Sequence, residues 1–436
     1  MSSRQLAAQI VARWLKSGEF PNRLIPPDAA DRAFIMELVY GIARWKRMLE
    51  WVAVARVHHM PEPELRALMY VGLYQVLCMT DVEPYAAVNE TVAAVKIQFS
   101  QAEANFVNAL LRNVLREKDT VSGELKKQPL GIQQSHPEVL VERWTRVFGS
   151  AATQRLCAWN NSRPDVMIHV NSLKISRSDY LTLLRSKDID LQEPPPGVSG
   201  CLAIPHGLRV ESLPGYEEGL FLVIDPSVLG SVARLDPQPG DHVLDACAAP
   251  GGKTFLMVEA MKGQGRVVAM DLHQDRLARL RENLRRLGCA DFVNVIQGDA
   301  MHVAAEAGGP FDCILLDVPC TNTGVIRRRP DARWRFTESR LTRLTLIQRA
   351  MLEQTSALLK PGGRLVYSTC SLEPEEDEAL VAAFLKTHKE FCRISEQKIF
   401  PPKSRTDGAY VALIQNCNKI LRLTPDLGNN LQLMDQ

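Results

Sequence analysis

From Ser3 to about Glu117 apolar residues recur every three or four positions with polar residues between them. Leu65, Leu68, Met69, Leu73, Val76 and Leu77 fall on one face of a helix beginning near Glu64, because side chains three and four apart stack on the same side. Val88, Val92 and Val95 mark a second helix, and Phe106, Leu110, Leu111, Val114 and Leu115 a third. Pro61, Pro63 and Pro84 punctuate the starts, where a missing N–H costs nothing. The spacing predicts an all-helical domain over residues 1–128. Between Lys118 and Pro137 the period dissolves into Lys126-Lys127-Gln128-Pro129 and Gly131, predicting a linker of roughly 15 residues.

Residues 136–225 mix periods. A helix is predicted over Val139 to Phe148, a strand over Val166 to Val170, a helix over Ser178 to Leu184 and a turn at Pro194-Pro195-Pro196, together a small α/β module. From Pro226 onward short apolar runs alternate with amphipathic helices, the pattern of a mostly parallel sheet covered on both faces, and we assign 226–420 to it. Five runs, His242–Cys247, Val267–Asp271, Asn294–Asp299, Phe311–Asp317 and Arg364–Cys370, end in or just before Asp245 and Cys247, Asp271, Asp299, Asp317 with Cys320, and Cys370. Ligands of open α/β sheets bind beyond the carboxyl ends of the strands, so these endings describe one site.

Composition narrows the class. A chain of 436 residues, 46% hydrophobic and 23% charged, has material for two or three domains. A formal charge of +2 argues against coating nucleic acid by bulk charge but leaves local basic patches open. The ten cysteines show no framework and no Cys-x-x-Cys pair, so neither a disulfide scaffold nor a metal site is expected. No signal core or membrane-length apolar run is present, so a soluble, cytoplasmic monomer is expected.

Cys247-Ala248-Ala249-Pro250-Gly251-Gly252-Lys253-Thr254 follows the first strand and opens a helix. Paired glycines let backbone approach a ligand, and a helix amino end favours a carboxylate or phosphate. The spacing is neither that of a P-loop nor that of a Gly-x-Gly-x-x-Gly turn. Asp271, at the end of the next strand, is placed to take the hydroxyls of a ribose, and Asp299 an adenine amino group. The loop amides would take a carboxylate, and S-adenosylmethionine is the cofactor that fits these parts.

Two cysteines at one site suit covalent chemistry on an electron-poor ring. Carbon 5 of cytosine becomes nucleophilic only after a thiolate adds to carbon 6. Such a reaction needs a nucleophile, a group polarising N3 and N4, and a base for the C5 proton. Cys370, Cys320 and Asp317 supply these parts, whereas Cys78, Cys157 and Cys313 read as small apolar fillers.

Asp245-Ala246-Cys247-Ala248-Ala249-Pro250-Gly251-Gly252-Lys253, Leu316-Asp317-Val318-Pro319-Cys320-Thr321-Asn322-Thr323-Gly324-Val325 and Ser368-Thr369-Cys370-Ser371-Leu372-Glu373-Pro374-Glu375-Glu376 resemble three signature motifs of the RNA cytosine-C5 methyltransferases, the RsmB/Nop2/Sun family. The resemblance implies a Rossmann-like class I methyltransferase domain with a seven-stranded sheet. It makes Cys370 the nucleophile and Cys320 the partner in proton removal and release, with Lys253 orienting Asp317 or the base. Gly72-Leu73-Tyr74-Gln75, Ala87-Val88-Asn89-Glu90 and Phe106-Val107-Asn108-Ala109-Leu110-Leu111-Arg112 are similar to the NusB-like domain of family members acting on 16S ribosomal RNA, the implied substrate. Transfer RNA is the alternative substrate, and a non-catalytic RNA-binding assembly factor the alternative class. The chain departs from the family at His169, where Arg is usual, and at Ile224-Asp225, where Gln-Asp is usual.

Arg327, Arg328, Arg329, Arg333 and Trp334, interleaved just after Cys320, are expected to clamp phosphates and stack on RNA. Glu375, Glu376 and Asp377 are expected to serve only the dipole of a following helix.

Overall fold

The computed structural model describes residues 1–19, 24–26, 28–191, 194, 200–205, 207–303 and 307–418; the predicted turn residues Pro195 and Pro196 lie outside these. The chain forms two compact units, Met1–Arg163 with Val325–Phe336, and Pro164–Gly324 with Thr337 onward.

The first unit contains α1 (Ser3–Ser17), α2 (Arg32–Val54), α3 (Pro63–Cys78), α4 (Pro84–Gln98), α5 (Gln101–Arg116), α6 (Lys118–Leu125), α7 (Leu130–Gln133), α8 (Glu138–Phe148) and α9 (Ser150–Asn161). Ser2 with Gln5 and Ser100 with Glu103 form capping boxes that satisfy orphan amides of α1 and α5. Sequence periodicity gives α3 one apolar stripe, yet Ala67 to Val76 are buried all round, so it is the central helix of the bundle. Its polar Gln75 is held by Arg4 Nε at 2.9 Å and donates to Val71 O. The predicted linker is mostly helical. Val121 is the one buried side chain of α6, and a single apolar anchor leaves no period to read. Residues 136–163, expected with the α/β module, pack in this unit as α8 and α9.

Val325–Phe336, which follows the Cys320 motif in the chain, also belongs to this unit. Arg333 is wholly buried. It donates to Ser135 O and Asn161 Oδ1 at 2.9 Å, to Arg44 O at 3.2 Å and to Asn160 O at 3.3 Å. Trp334 Nε1 donates to Ala43 O at 2.6 Å, and the buried Arg327 lies 4.1 Å over the Trp159 ring. The expectation that Arg327, Arg333 and Trp334 face RNA is corrected: their side chains turn into the helical unit, where they donate to Arg163 O and to carbonyls of α2, α9 and the α7–α8 connection. Of the five, Arg329 alone is exposed.

The second unit holds two sheets. In the smaller, β1 (Val166–Val170) is flanked antiparallel by β2 (Leu202–Ile204) and β3 (Phe221–Val223), with α10 (Arg177–Arg185) packing Tyr180 and Leu184 onto Ile168, Leu202 and Phe221. After α11 (Leu229–Leu235) come β4 (His242–Asp245), α12 (Gly252–Ala260), β5 (Arg266–Asp271), α13 (Gln274–Leu287), β6 (Val293–Gln297), β7 (Phe311–Asp317), α14 (Glu338–Ser356), β8 (Leu359–Thr369), α15 (Glu378–Thr387), β9 (Phe391–Ile399) and β10 (Ala409–Asn416). These strands form one sheet ordered β6-β5-β4-β7-β8-β10-β9, parallel except that β10 runs antiparallel to both neighbours. Neighbouring residues feed opposite cores: Leu244, Ile314 and Leu316 one face, Val243, Cys313 and Leu315 the other. This is why β4 and β7 read as continuous apolar runs. Cys392 on β9 and Cys417 after β10 form a disulfide that their 25-residue separation gave no reason to expect. Among the described residues no helix is long and apolar enough to cross a membrane.

His169 on β1 sits 2.7 Å from Glu259 of α12, tying the small sheet to the cofactor-loop helix, and Glu259 also accepts from Ser172 N at 2.7 Å. Burial opposes the imidazolium, but contacts with Cys201 and Glu259 outweigh it and raise His169 from 6.5 to about 10. A raised folded pKa gives stability that is complete below about pH 6.5 and is lost as pH climbs through about 10. His169→Gln should therefore cost about 2 kcal/mol near pH 6 and much less at pH 10. Melting curves of both proteins across that range check this; a pH-independent difference would contradict it.

Candidate active site

The direction of strand order reverses between β4 and β7, so their carboxyl ends open a crevice at the topological switch point. Residues 247–252 leave β4 there. Ala248 N is bonded to Met270 O at 2.8 Å, and Gly251 closes the turn at φ 106. A Cβ on Gly251 would also lie 2.7 Å from Leu280 Cδ1, so only glycine turns the loop into α12.

Acidic groups ring the crevice. Asp271, 3% exposed, ends β5; its Oδ2 accepts from Ala249 N and pairs with Arg276, and its Oδ1 accepts from His273 N, each at 3.2 Å. Asp299, just past β6, accepts from Met301 N at 2.9 Å. Asp245 ends β4 with Oδ2 held by Thr254 Oγ1 at 2.7 Å and Oδ1 buried with no hydrogen-bond partner among the described residues. Burial, against the Thr254 hydrogen bond, lifts its pKa to about 7. Asp317 ends β7, clamped between Lys253 Nζ at 2.5 Å and Ser368 Oγ at 2.7 Å. Burial opposes the Lys253 charge, but Asp317 outweighs it and raises the Lys253 pKa.

The two cysteines meet. Asp317 pairs in register with Ser368, so the chains leaving β7 and β8 emerge side by side. Cys320 Sγ and Cys370 Sγ stand 3.0 Å apart. Asn322, in the left-handed region at φ 64, donates from Nδ2 to Cys320 O at 2.8 Å and accepts through Oδ1 from Cys370 Sγ at 3.2 Å. The contact with Cys370, and then burial, push Cys320 well above the ordinary thiol range.

A family model described as 16S rRNA methyltransferase RsmB/F matches residues 232–415, a NusB family model residues 1–116, and an RsmF/B-like ferredoxin-like domain model residues 136–211. The ribosomal RNA small subunit methyltransferase B of Erwinia tasmaniensis is 36% identical over 94% of this chain and 97% of its own. The chain belongs to the 16S rRNA methyltransferase RsmB/F family. A probable ribosomal RNA small subunit methyltransferase B of Synechocystis is 34% identical over 90% of each chain. The solved structure of PH0851, 24% identical, superposes with a TM-score of 0.78 over 95% of this chain and 99% of that one, which shows a shared fold.

Sequence reasoning missed the residues that hold the cysteine loops of this methyltransferase. Glu376 accepts from Thr321 N and Gln348 Nε2 at 2.9 Å and from the Thr321 hydroxyl, while Gln348 also reaches Pro319 O at 2.9 Å. Asp377 accepts from Thr369 Oγ1 at 2.7 Å and pairs with Lys398 at 3.2 Å. The helix begins only at Glu378. Glu376 and Asp377 are thus structural, but for another reason than a helix dipole: Glu376 ties the Cys320 loop to the segment after Cys370, and Asp377 ties Thr369 to Lys398 on β9. Acidic residues after a proline look alike in both roles, and the hint was only that such a run directly followed Cys370.

Proposed function

We propose that this enzyme transfers a methyl group from S-adenosylmethionine to carbon 5 of a cytosine in 16S rRNA through a covalent Cys370–C6 adduct. The observation that carries the reading is the 3.0 Å approach of Cys320 and Cys370 beside the clamped Asp317. The family description, 16S rRNA methyltransferase RsmB/F, supports the choice of 16S rRNA.

The residues around the crevice fit the cofactor. Asp271 Oδ1, which among the described residues accepts only a long bond from His273 N, keeps lone pairs for the ribose hydroxyls. The amides entering α12 near Gly251 and Gly252 take the carboxylate, Cys247, Ala248, Ala249 and Pro250 wall the loop, and Asp299 takes the adenine amino group. When bound, S-adenosylmethionine supplies an electrophilic methyl group on a sulfonium sulfur.

The protein's part is to make carbon 5 a nucleophile. Cys370 gives its thiol proton to solvent as its Sγ bonds to C6, and the C5–C6 π pair moves to C5, with Asp317 polarising the N3 and N4 edge. Lys253 and Ser368 occupy both Asp317 oxygens, fixing the carboxylate before substrate arrives. Once C5 carries its methyl group, its proton leaves to a base, the pair reforms C5=C6, and the S–C6 bond breaks to return Cys370. Cys320, whose sulfur stands 3.0 Å from that of Cys370, is placed to assist this elimination.

Incubating the protein with S-adenosylmethionine and unmodified 16S rRNA or transfer RNA, followed by bisulfite sequencing, tests the assignment. One protected cytosine is expected in 16S rRNA and none in transfer RNA. Protection confined to transfer RNA would overturn the substrate, and no protection in either would overturn the activity.

A further inference from the structure

The connection between β9 and β10, residues 400–408, stands at the active site, and no role yet given to the enzyme uses it. Tyr410 pairs with Thr369 and Ala409 with Ile399, both antiparallel, so β10 begins and β9 ends where β8 delivers Cys370. Contact there is direct. Gly408 N donates to Gly324 O at 2.8 Å, and Gly324 N donates to Cys370 O at 2.9 Å. A Cβ on Gly324 would sit 2.5 Å from Gly408 O and 2.9 Å from Cys370 O, so the close approach requires that glycine.

The loop sorts its charges. Asp407 is buried, its amide bonded to Asp225 Oδ1 at 3.1 Å, and Thr406 and Pro401 are buried beside it. Lys403 and Arg405 point to solvent, and among the described residues neither makes an ion pair or side-chain hydrogen bond. Arg405 ends the short turn Pro401–Ser404 in the left-handed conformation at φ 60. That position favours glycine or asparagine, so a long cationic side chain is kept there against the backbone's preference.

We propose that Lys403 and Arg405 form a phosphate-contacting surface for the RNA strand that brings its cytosine to Cys370. The inference rests on the RNA substrate proposed above. Two cations three and five residues before Gly408, unpaired among the described residues, are placed for the phosphates flanking a nucleotide turned into the site. They provide the charge that the inward-turned Arg327 and Arg333 do not.

Steady-state methylation of a 16S rRNA transcript at several KCl concentrations tests this with wild type, the Lys403→Ala/Arg405→Ala double variant and Arg405→Gly. The double variant should raise KM for RNA about five- to tenfold, lower kcat less than twofold, and reduce the slope of log KM against log salt by about 1. Arg405→Gly should raise KM while its Tm holds or rises, because glycine relaxes the turn. KM values and salt slopes equal to wild type would overturn the proposal while leaving the enzyme an RNA methyltransferase. A wild-type chain that methylates no RNA would overturn the functional reading beneath it.

Discussion

Cys370→Ala is expected to abolish methyl transfer, lowering kcat by at least about 10⁴-fold. Without a sulfur at C6 the pyrimidine C5 is not a nucleophile, and no other group of the site replaces that bond. Cys320 stands only 3.0 Å away, but its position is fixed by Thr321 and Pro319 contacts to Glu376 and Gln348, so it does not take over. Fold stability should change little, since Cys370 is partly exposed and, among the described residues, its thiol hydrogen-bonds only with Cys320 and Asn322. Single-turnover assays with labelled methyl donor measure the loss, and calorimetric binding of S-adenosylmethionine should survive it. Residual activity within about tenfold of wild type would contradict the assigned nucleophile.

The second large effect is on stability. Arg333→Ala should destabilise the helical unit by about 3 kcal/mol. Its guanidinium satisfies Ser135 O, Asn160 O and Arg44 O in a buried site, and removing it strands these carbonyls beside a cavity. Burial and the neighbouring Arg44 pull the Arg333 pKa down, so part of the loss is offset by relieving a desolvated charge. All six tryptophans, Trp14, Trp45, Trp51, Trp144, Trp159 and Trp334, lie in this unit. Tryptophan fluorescence in urea therefore reports its unfolding alone, and the midpoint should fall by about 1–2 M. An unchanged midpoint would show that the buried arginine holds nothing together.

Much of the architecture was written in the apolar pattern. Phe311–Asp317 was read to its last residue because both faces of β7 are covered and a charged side chain ends the run. The strand ends pointed to one crevice, and the structure brings Asp271, Asp317, Lys253, Cys320 and Cys370 to the carboxyl ends of the sheet. What escaped depends on distant partners. Arg333 finds its acceptors about 170 to 290 residues away in the chain, and an arginine that caps buried carbonyls has the same letters around it as one that meets phosphate. Lys118–Leu125 lacks a period because one side chain anchors it. Glu376 and Asn322 act across a gap of about 50 residues that only the pairing of β7 with β8 closes.

The central claim is that Cys370 bonds to the RNA and that Cys320 is needed to let it go. Cys320→Ala, incubated with S-adenosylmethionine and 16S rRNA and run on a denaturing gel, tests it most directly. The account predicts a slow-migrating protein–RNA band that survives denaturant and disappears in the Cys320→Ala/Cys370→Ala double variant. A band that persists without Cys370, or no band from Cys320→Ala while methylation proceeds at the wild-type rate, would contradict it.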